Sequence, residues 1–380
     1  MKKLLLTCTD SMMMQFMIPH VTYLTEQGFQ VDLACSDVRN RMDEVRKTFR
    51  DNPAVTVQCV DLYRNPFKIG NLKGLGQLRK IVKDGNYDIV WTNEPVMGLM
   101  TRLAAARNRK NGQKVMYMAH GFHFFNGAPK RNWCIYYPIE WFMSWFTDLL
   151  LVINREDCDC AQKRMKAKKV TYLKGIGIDT QKFRSVSIDR KRFREAIGIP
   201  EEDFIYLSVG ELEDRKNHAF TIRAFAKMNA PDSNLIIAGT GSQEMQLKEL
   251  ASELNVEDRV HFLGYRRDVG ALCKASDVFV FSSRQEGLPV AIMEAMACGL
   301  PVVATRIRGT VDEIDDGNGG FLIEQGDTES LVNRMKLLRE DRELRRKLGA
   351  YNQEKASEFD ISLIREQLYE EIQELTGTFA

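Results

Sequence analysis

Short apolar runs rich in β-branched residues recur along the chain, and longer stretches with helical spacing of apolar positions separate them. In the first half the runs are Lys3–Cys8, Phe29–Cys35, Val55–Val60, Asp88–Thr92, Lys114–Ala119, Asp148–Ile153 and Lys169–Tyr172. Most intervals have room for a helix, for example Asn71–Lys83 and Pro95–Arg107. The runs are continuous rather than alternating, which is the pattern of strands covered on both faces of a parallel sheet. Strand–helix–strand order repeated in this way predicts a doubly wound α/β domain.

The pattern pauses at Lys174-Gly175-Ile176-Gly177-Ile178-Asp179, and a basic stretch follows through Arg194. A second series then runs through Phe204–Val209, Asn234–Ala238, Val260–Leu263, Asp277–Phe281, Pro301–Ala304 and Gly320–Leu322. It predicts a second Rossmann-like domain, with domains at 1–175 and 176–360. The charged tail from Thr328 reads as helical, breaks at Glu358-Phe359-Asp360-Ile361 and resumes as a last helix within 361–380. In open α/β sheets ligands sit beyond the carboxyl ends of the strands, so the loops there are where chemistry is expected.

Composition narrows the function. A length of 380 residues, 44% hydrophobic and 28% charged, suits two globular domains. Lys plus Arg is 54 and Asp plus Glu is 52, a net charge of +2, which argues against a bulk nucleic-acid binder. Eight Cys are too sparse for a disulfide scaffold and suit reduced thiols in a cytoplasmic protein. Cys158 and Cys160 form C-x-C rather than a zinc pattern. Leu4-Leu5-Leu6 is too short for a secretory segment, and Pro138, Glu140 and Asp148 interrupt the best membrane-span candidate, Trp133 to Ile153.

The densest chemistry lies between Phe281 and Val303, read as strand, loop, helix, turn, strand. Pro289 suits the first helical position and Gly299 the helix end. Glu286 and Glu294 are spaced E-x7-E, one in the loop and one in the second helical turn. Amides at Gly287 and Leu288 would attract a phosphate, and a carboxylate further along the helix can accept from a ribose diol. Spacing alone equally allows a Glu that favours the helix dipole plus one solvated Glu.

Other loops add candidates. Gly210-Glu211-Leu212-Glu213-Asp214-Arg215-Lys216-Asn217 follows a strand, and on its residues alone reads as a solvated turn. His120 ends a strand beside Gly121, and His123 lies close behind. Asn93-Glu94-Pro95 ends another strand. Asp157-Cys158-Asp159 forms D-x-D, but it sits in an acidic helix start where i and i+2 diverge, so a metal pair is not expected. Trp133, Tyr136, Tyr137, Trp141, Phe142, Trp145 and Phe146 crowd one helical stretch near Lys130-Arg131 and the basic run 163–169. That stretch reads either as a buried amphipathic helix or as a peripheral membrane face.

The Phe281–Val303 segment resembles the E-x7-E signature of retaining family 4 glycosyltransferases of the GT-B fold. Further landmarks fall in order over nearly the whole chain: His120-Gly121, Ile153-Asn154-Arg155-Glu156-Asp157, Gly175 to Asp179, Lys216, Cys298 to Val303, and Arg306-Ile307-Arg308-Gly309. Arg64-Asn65-Pro66-Phe67 and His120 to Phe124 resemble the bacterial branch acting on polyprenyl-diphosphate-linked sugars in capsule and exopolysaccharide assembly.

The resemblance implies two Rossmann-like domains facing a cleft, with the last helix returning to the first domain. It implies a retaining transfer from a UDP-sugar, expected to carry N-acetylhexosamine, to a polyprenyl-diphosphate-linked saccharide. Glu286 and His120 match residues beside the donor sugar, Glu294 the ribose ligand, and Gly287 and Leu288 the phosphate-contacting loop. Lys216 matches a diphosphate cation. Where the family commonly has an Arg after the Gly stands Glu211, so Arg215 is the candidate substitute. His123, Asn93 and Glu94 are acceptor candidates. The resemblance implies no cofactor and no obligatory metal, and a cytoplasmic enzyme, peripheral at the membrane. The alternatives are a sugar-nucleotide 2-epimerase-like enzyme and a non-catalytic sugar-nucleotide-binding protein. A dehydrogenase is disfavoured, because Thr7-Cys8-Thr9-Asp10-Ser11 replaces a glycine fingerprint after the first strand.

Overall fold

Thirteen apolar runs become thirteen strands among the described residues, seven in one sheet and six in another. The computed structural model describes residues 1–9, 11–37 and 42–377; Asp10 of the first loop lies outside them. The chain divides into two units, Met1–Ile176 with Ile361–Ala380, and Gly177–Asp360.

The first unit holds β1 (Lys3–Cys8), β2 (Gln30–Cys35), β3 (Val55–Cys59), β4 (Ile89–Asn93), β5 (Lys114–Ala119), β6 (Leu149–Val152) and β7 (Lys169–Tyr172). Their order is β3-β2-β1-β4-β5-β6-β7, and every pair is parallel. Leu4, Leu5, Leu6, Val90 and Trp91 are fully buried, as strands covered on both faces require. Strand order reverses between β1 and β4, where Thr7 Oγ1 donates to Thr92 Oγ1 at 2.7 Å. Such a switch point leaves the loops after both strands splayed and free to bind.

The helix expected over Pro95–Arg107 stops at Ala105, and a tight turn over Asn108–Asn111 ends at Gly112 in the left-handed region (φ 93°). The last helix, Ile361–Thr376, belongs to this unit and buries Ile364, Leu368 and Ile372 at i, i+4, i+8. Its Tyr369 meets Tyr23 and Phe29 edge-on, with centroids 5.8 and 6.3 Å away. The stretch Trp133 to Ile153 divides between the helix Lys130–Ser144 and β6, and no helix among the described residues is long and apolar enough to cross a membrane.

The second unit holds β8 (Phe204–Val209), β9 (Ser233–Ala238), β10 (Val260–Phe262), β11 (Val278–Phe281), β12 (Val302–Thr305) and β13 (Gly320–Ile323). The order is β10-β9-β8-β11-β12-β13, again parallel throughout, with its switch between β8 and β11. The helix Val290–Ala297 joins β11 to β12 and buries Ile292, Met293, Ala295, Met296 and Ala297. Pro289 is not its first helical residue. It is the N-cap, with extended backbone (φ −79°, ψ 107°), and its carbonyl accepts from Ile292 N at 3.0 Å. Gly299 turns the chain out of the helix at φ 84°.

Cys59 and Cys134 are exposed, and Cys8, Cys35, Cys158, Cys273 and Cys298 are buried.

Candidate functional site

At the switch of the second unit, the loop after β8 is tied to the loop after β11. Arg284 N and Ser283 Oγ both donate to Arg215 O, at 2.7 and 2.9 Å, and Ser282 Oγ donates to Asn217 O at 2.9 Å. The short turn Asp214–Lys216 is thereby pinned where its two cations reach Glu286. Lys216 Nζ lies 2.7 Å and Arg215 Nη1 2.9 Å from the same oxygen, Glu286 Oε1, which also accepts from Ser283 Oγ at 2.7 Å. Lys216 also lies over the Phe281 ring, 4.9 Å from its centroid.

Exposure separates the two cations. The side chains of Lys216 and Glu286 are 12% and 11% exposed, whereas Arg215 is 46% exposed. The lysine pair has lost most of its hydration, which makes it responsive to a competing anion. Arg215 Nη2 donates to Glu211 Oε2 at 2.9 Å. Glu211 thus holds Arg215 beside Glu286, so the acidic residue after Gly210 works through the arginine four positions on.

The loop glycines act by close approach. A Cβ on Gly239 would stand 1.8 Å from Gly210 O, so only glycine (φ 156°) lets the loop after β9 press against the β8 loop. That makes Gly239-Thr240-Gly241 a packing turn. A Cβ on Gly309 would lie 2.8 Å from Gly287 O and 3.0 Å from Pro289 Cδ. Arg308 Nε donates to Glu286 O at 3.1 Å, fixing the same loop from below. Among the described residues, the amides of Gly287 and Leu288 have no hydrogen-bond partner.

Two further carboxyls of this unit are raised, and Glu313 feels the charges of Glu286 and Lys216. Glu294, on the apolar helix Val290–Ala297, is raised to about 7 by desolvation, against which the charge of Lys182 acts weakly. Sequence spacing does not find Glu313. It is fully buried, both its oxygens lack a partner, and burial followed by the charges of Glu286 and Asp312 pushes it well above the usual carboxylate range. In the sequence it is one acid among Asp312, Glu313, Asp315 and Asp316, a run that reads as solvated.

In the first unit, His120 follows β5 and its Nε2 lies 3.0 Å from Asn93 Oδ1. Burial, then the nearby His20, lower His120 to about 4, so the ring is neutral at pH 7. Asn93 is fully buried at the end of β4. Glu94 has φ 63° and ψ 153°, a conformation costing a non-glycine residue about 1–3 kcal/mol. Its Oε2 accepts from Thr9 N at 2.6 Å, so the strained residue bridges the two switch loops. His123 stacks on Tyr136, with ring centroids 4.5 Å apart.

The D-x-D pair diverges. Asp157 is buried and accepts from Phe122 N at 2.9 Å, while Asp159 faces outward 3.9 Å from Lys163. Asn154 caps this helix, its side chain accepting from Asp157 N.

Residues 189–355 match the family described as Glycosyl transferases group 1, and residues 3–154 match Glycosyl transferase 4-like. The protein named "Putative glycosyltransferase EpsD" of Bacillus subtilis (strain 168) is 37% identical over 363 residues, covering 94% of this chain and 93% of its own. The UDP-Gal:alpha-D-GlcNAc-diphosphoundecaprenol alpha-1,3-galactosyltransferase of Escherichia coli is 30% identical, covering 84% and 83%. The crystal structure of Anabaena HepE in complex with UDP and glucose superposes with a TM-score of 0.82 at 20% identity, covering 98% and 100%. At that identity the superposition speaks to the fold, which is GT-B.

Proposed function

Because this chain belongs to the glycosyltransferases, with group 1 and 4-like domains on a GT-B fold, we propose that it is a retaining enzyme of surface-polysaccharide assembly that transfers a sugar from a UDP-sugar to a polyprenyl-diphosphate-linked saccharide. The proposed sugar is an N-acetylhexosamine, and the proposed location is the cytoplasmic face of the membrane. The observation that carries this reading is the set of Lys216 and Arg215 on one oxygen of Glu286, beside the unpartnered amides of Gly287 and Leu288. A diphosphate fits such a set because each charge-assisted hydrogen bond to it contributes about 1.5–3 kcal/mol.

In the proposed reaction the bond from the anomeric carbon to the diphosphate oxygen breaks while the acceptor oxygen bonds on the same face. The acceptor proton passes to the departing diphosphate. Lys216, Arg215 and the two amides hold the charge that develops there. Glu286 and His120 orient the sugar, and Glu294 accepts from the ribose hydroxyls. Asn93, Glu94 and His123 are the proposed acceptor contacts. Protein cations take the role a divalent ion would otherwise fill, so activity is expected to survive EDTA. Glu211 is the best ground for a non-catalytic binder, and its bond to Arg215 supports instead the reading in which Arg215 takes the place of the missing arginine.

The test is UDP release over a panel of UDP- and GDP-sugars with a membrane lipid extract as acceptor. Acceptor-dependent UDP release with an α-linked product from an α-linked donor is expected. UDP and free sugar formed without acceptor would identify an epimerase, and no turnover with any donor would leave a binding protein.

A further inference from the structure

The helix Lys130–Ser144, prolonged by Trp145 in helical backbone (φ −63°, ψ −23°), is apolar on its outer face as well as its inner one, where Met143 is buried and Trp133, Tyr136 and Tyr137 pack on the core. Residues 131, 134, 135, 138, 141, 142 and 145 fall on one face at spacings of three and four. In order they are Arg, Cys, Ile, Pro, Trp, Phe and Trp, and all of them are exposed. Phe142 and Trp145 are more than half exposed, at 53% and 56%. The inner face also carries one charge. Glu140 is buried and accepts from Arg102 Nη2 at 2.7 Å, and that guanidinium lies 4.0 Å from the centre of the Tyr117 ring. This pair fixes the helix rotation, because turning the aromatic face inward would expel a buried ion pair. A helix at a protein surface ordinarily shows polar and charged residues on its outer face.

The rim of this face is basic. Arg109, itself paired with Asp148 at 2.7 Å, donates from Nη1 to Trp145 O at 2.9 Å, and the exposed Lys110 follows it in sequence. Lys166 N donates to Ser144 Oγ at 2.8 Å, which sets the exposed Lys166 at the same end of the helix. Lys130 and Arg131 mark the other end. Between residues 130 and 146 the only acidic residue is Glu140, which is turned inward. Tryptophan and phenylalanine with lysines and arginine at both helix ends, and no exposed acid on the helix itself, complement an anionic bilayer surface.

We propose that the 134–145 face of this helix docks the enzyme in the headgroup layer of an anionic membrane, with Trp141, Phe142 and Trp145 inserted and the lysines on the lipid phosphates. The proposal deepens the reading above, since a polyprenyl-linked acceptor is held in such a layer, but the surface is read from the first unit alone.

The test uses the full chain and flotation with vesicles of phosphatidylglycerol and phosphatidylcholine, beside vesicles of phosphatidylcholine only. Binding to the anionic vesicles, weakened by salt, is expected. The combined Trp141→Ser, Phe142→Ser, Trp145→Ser variant is expected to need about tenfold more lipid or worse for half-binding. UDP binding by that variant, measured by calorimetry, is expected to match wild type and reports an intact fold. In a Cys59→Ser background, an environment-sensitive dye on Cys134 should move to an apolar signal only with anionic vesicles. Equal flotation of wild type and the triple variant overturns the proposal. So does a dye signal that follows protein concentration without vesicles, which would assign the face to a second copy of the chain. Vesicle binding as expected, with no sugar nucleotide bound, would remove the proposed function and leave the docking face standing.

Discussion

Glu294 sits on a helix with few polar neighbours, and that setting decides its proton. Its carboxyl is raised from the ordinary 4.5 to about 7 by burial, so it is about half protonated at neutral pH. Ribose hydroxyls donate better to the ionised form, so donor binding should strengthen as pH rises from 6 to 8, by up to about tenfold per pH unit. The ligand for this measurement is an intact UDP-sugar, because the terminal phosphate of UDP itself titrates near about 6. His120 and His218 both stay neutral across the window, at about 4. Glu294→Gln should flatten the pH profile and bind the donor about tenfold more weakly, as loss of a charge-assisted bond implies. A calorimetric profile with the same slope in both proteins would remove Glu294 from the ribose.

At the scale of elements, the cation set exists because two loops are pinned to each other at the β8–β11 switch. Glu286 occupies the cations in the free structure, so an arriving diphosphate must share or replace it. Glu286→Gln should therefore leave UDP affinity equal or higher while turnover falls about 10²-fold. Lys216→Ala should raise the Kd for UDP about tenfold or more. Parallel loss of UDP affinity in both variants, read by calorimetry, would show that Glu286 supports the loop and does not compete for the cations. The thirteen strands were legible to within about a residue, because a continuous apolar run between turn residues is the direct imprint of a doubly covered strand. Lys216 as a site candidate came from the family resemblance, since its loop on residues alone reads as a solvated turn. Glu211 as the partner of Arg215 was not legible, since the contact crosses a tight turn whose shape no periodicity encodes. Glu313 escaped for a different reason. A charged residue among other acids carries no sequence mark of burial, and only the folded structure reveals it.

On the scale of the whole molecule, the two units should respond differently to acid. The first unit keeps His20 and His120 at about 4, both chiefly through burial, against an ordinary 6.5. Between those values the unfolded unit binds protons that the folded one refuses, so stability falls as pH drops from 6.5 toward 4. The second unit also lowers His218, to about 4, and His261. It differs in holding Glu294 and Glu313 raised, and these bind protons in the folded state over the same range. A raised carboxyl stabilises the fold below its unfolded value and loses that contribution as pH climbs to its folded value. The two effects therefore oppose each other in the second unit, whereas in the first His20 and His120 act in the same direction. Hydrogen exchange at pH 7 and pH 5, corrected for intrinsic rates, should show protection falling first in β1, β4 and β5, ahead of β8, β11 and β12. Replacing His20 by Gln would test the cause, because it removes one titrating group and should shrink the gap between the units. Equal loss of protection in both sheets would mean that the buried imidazoles do not set the acid limit of this enzyme.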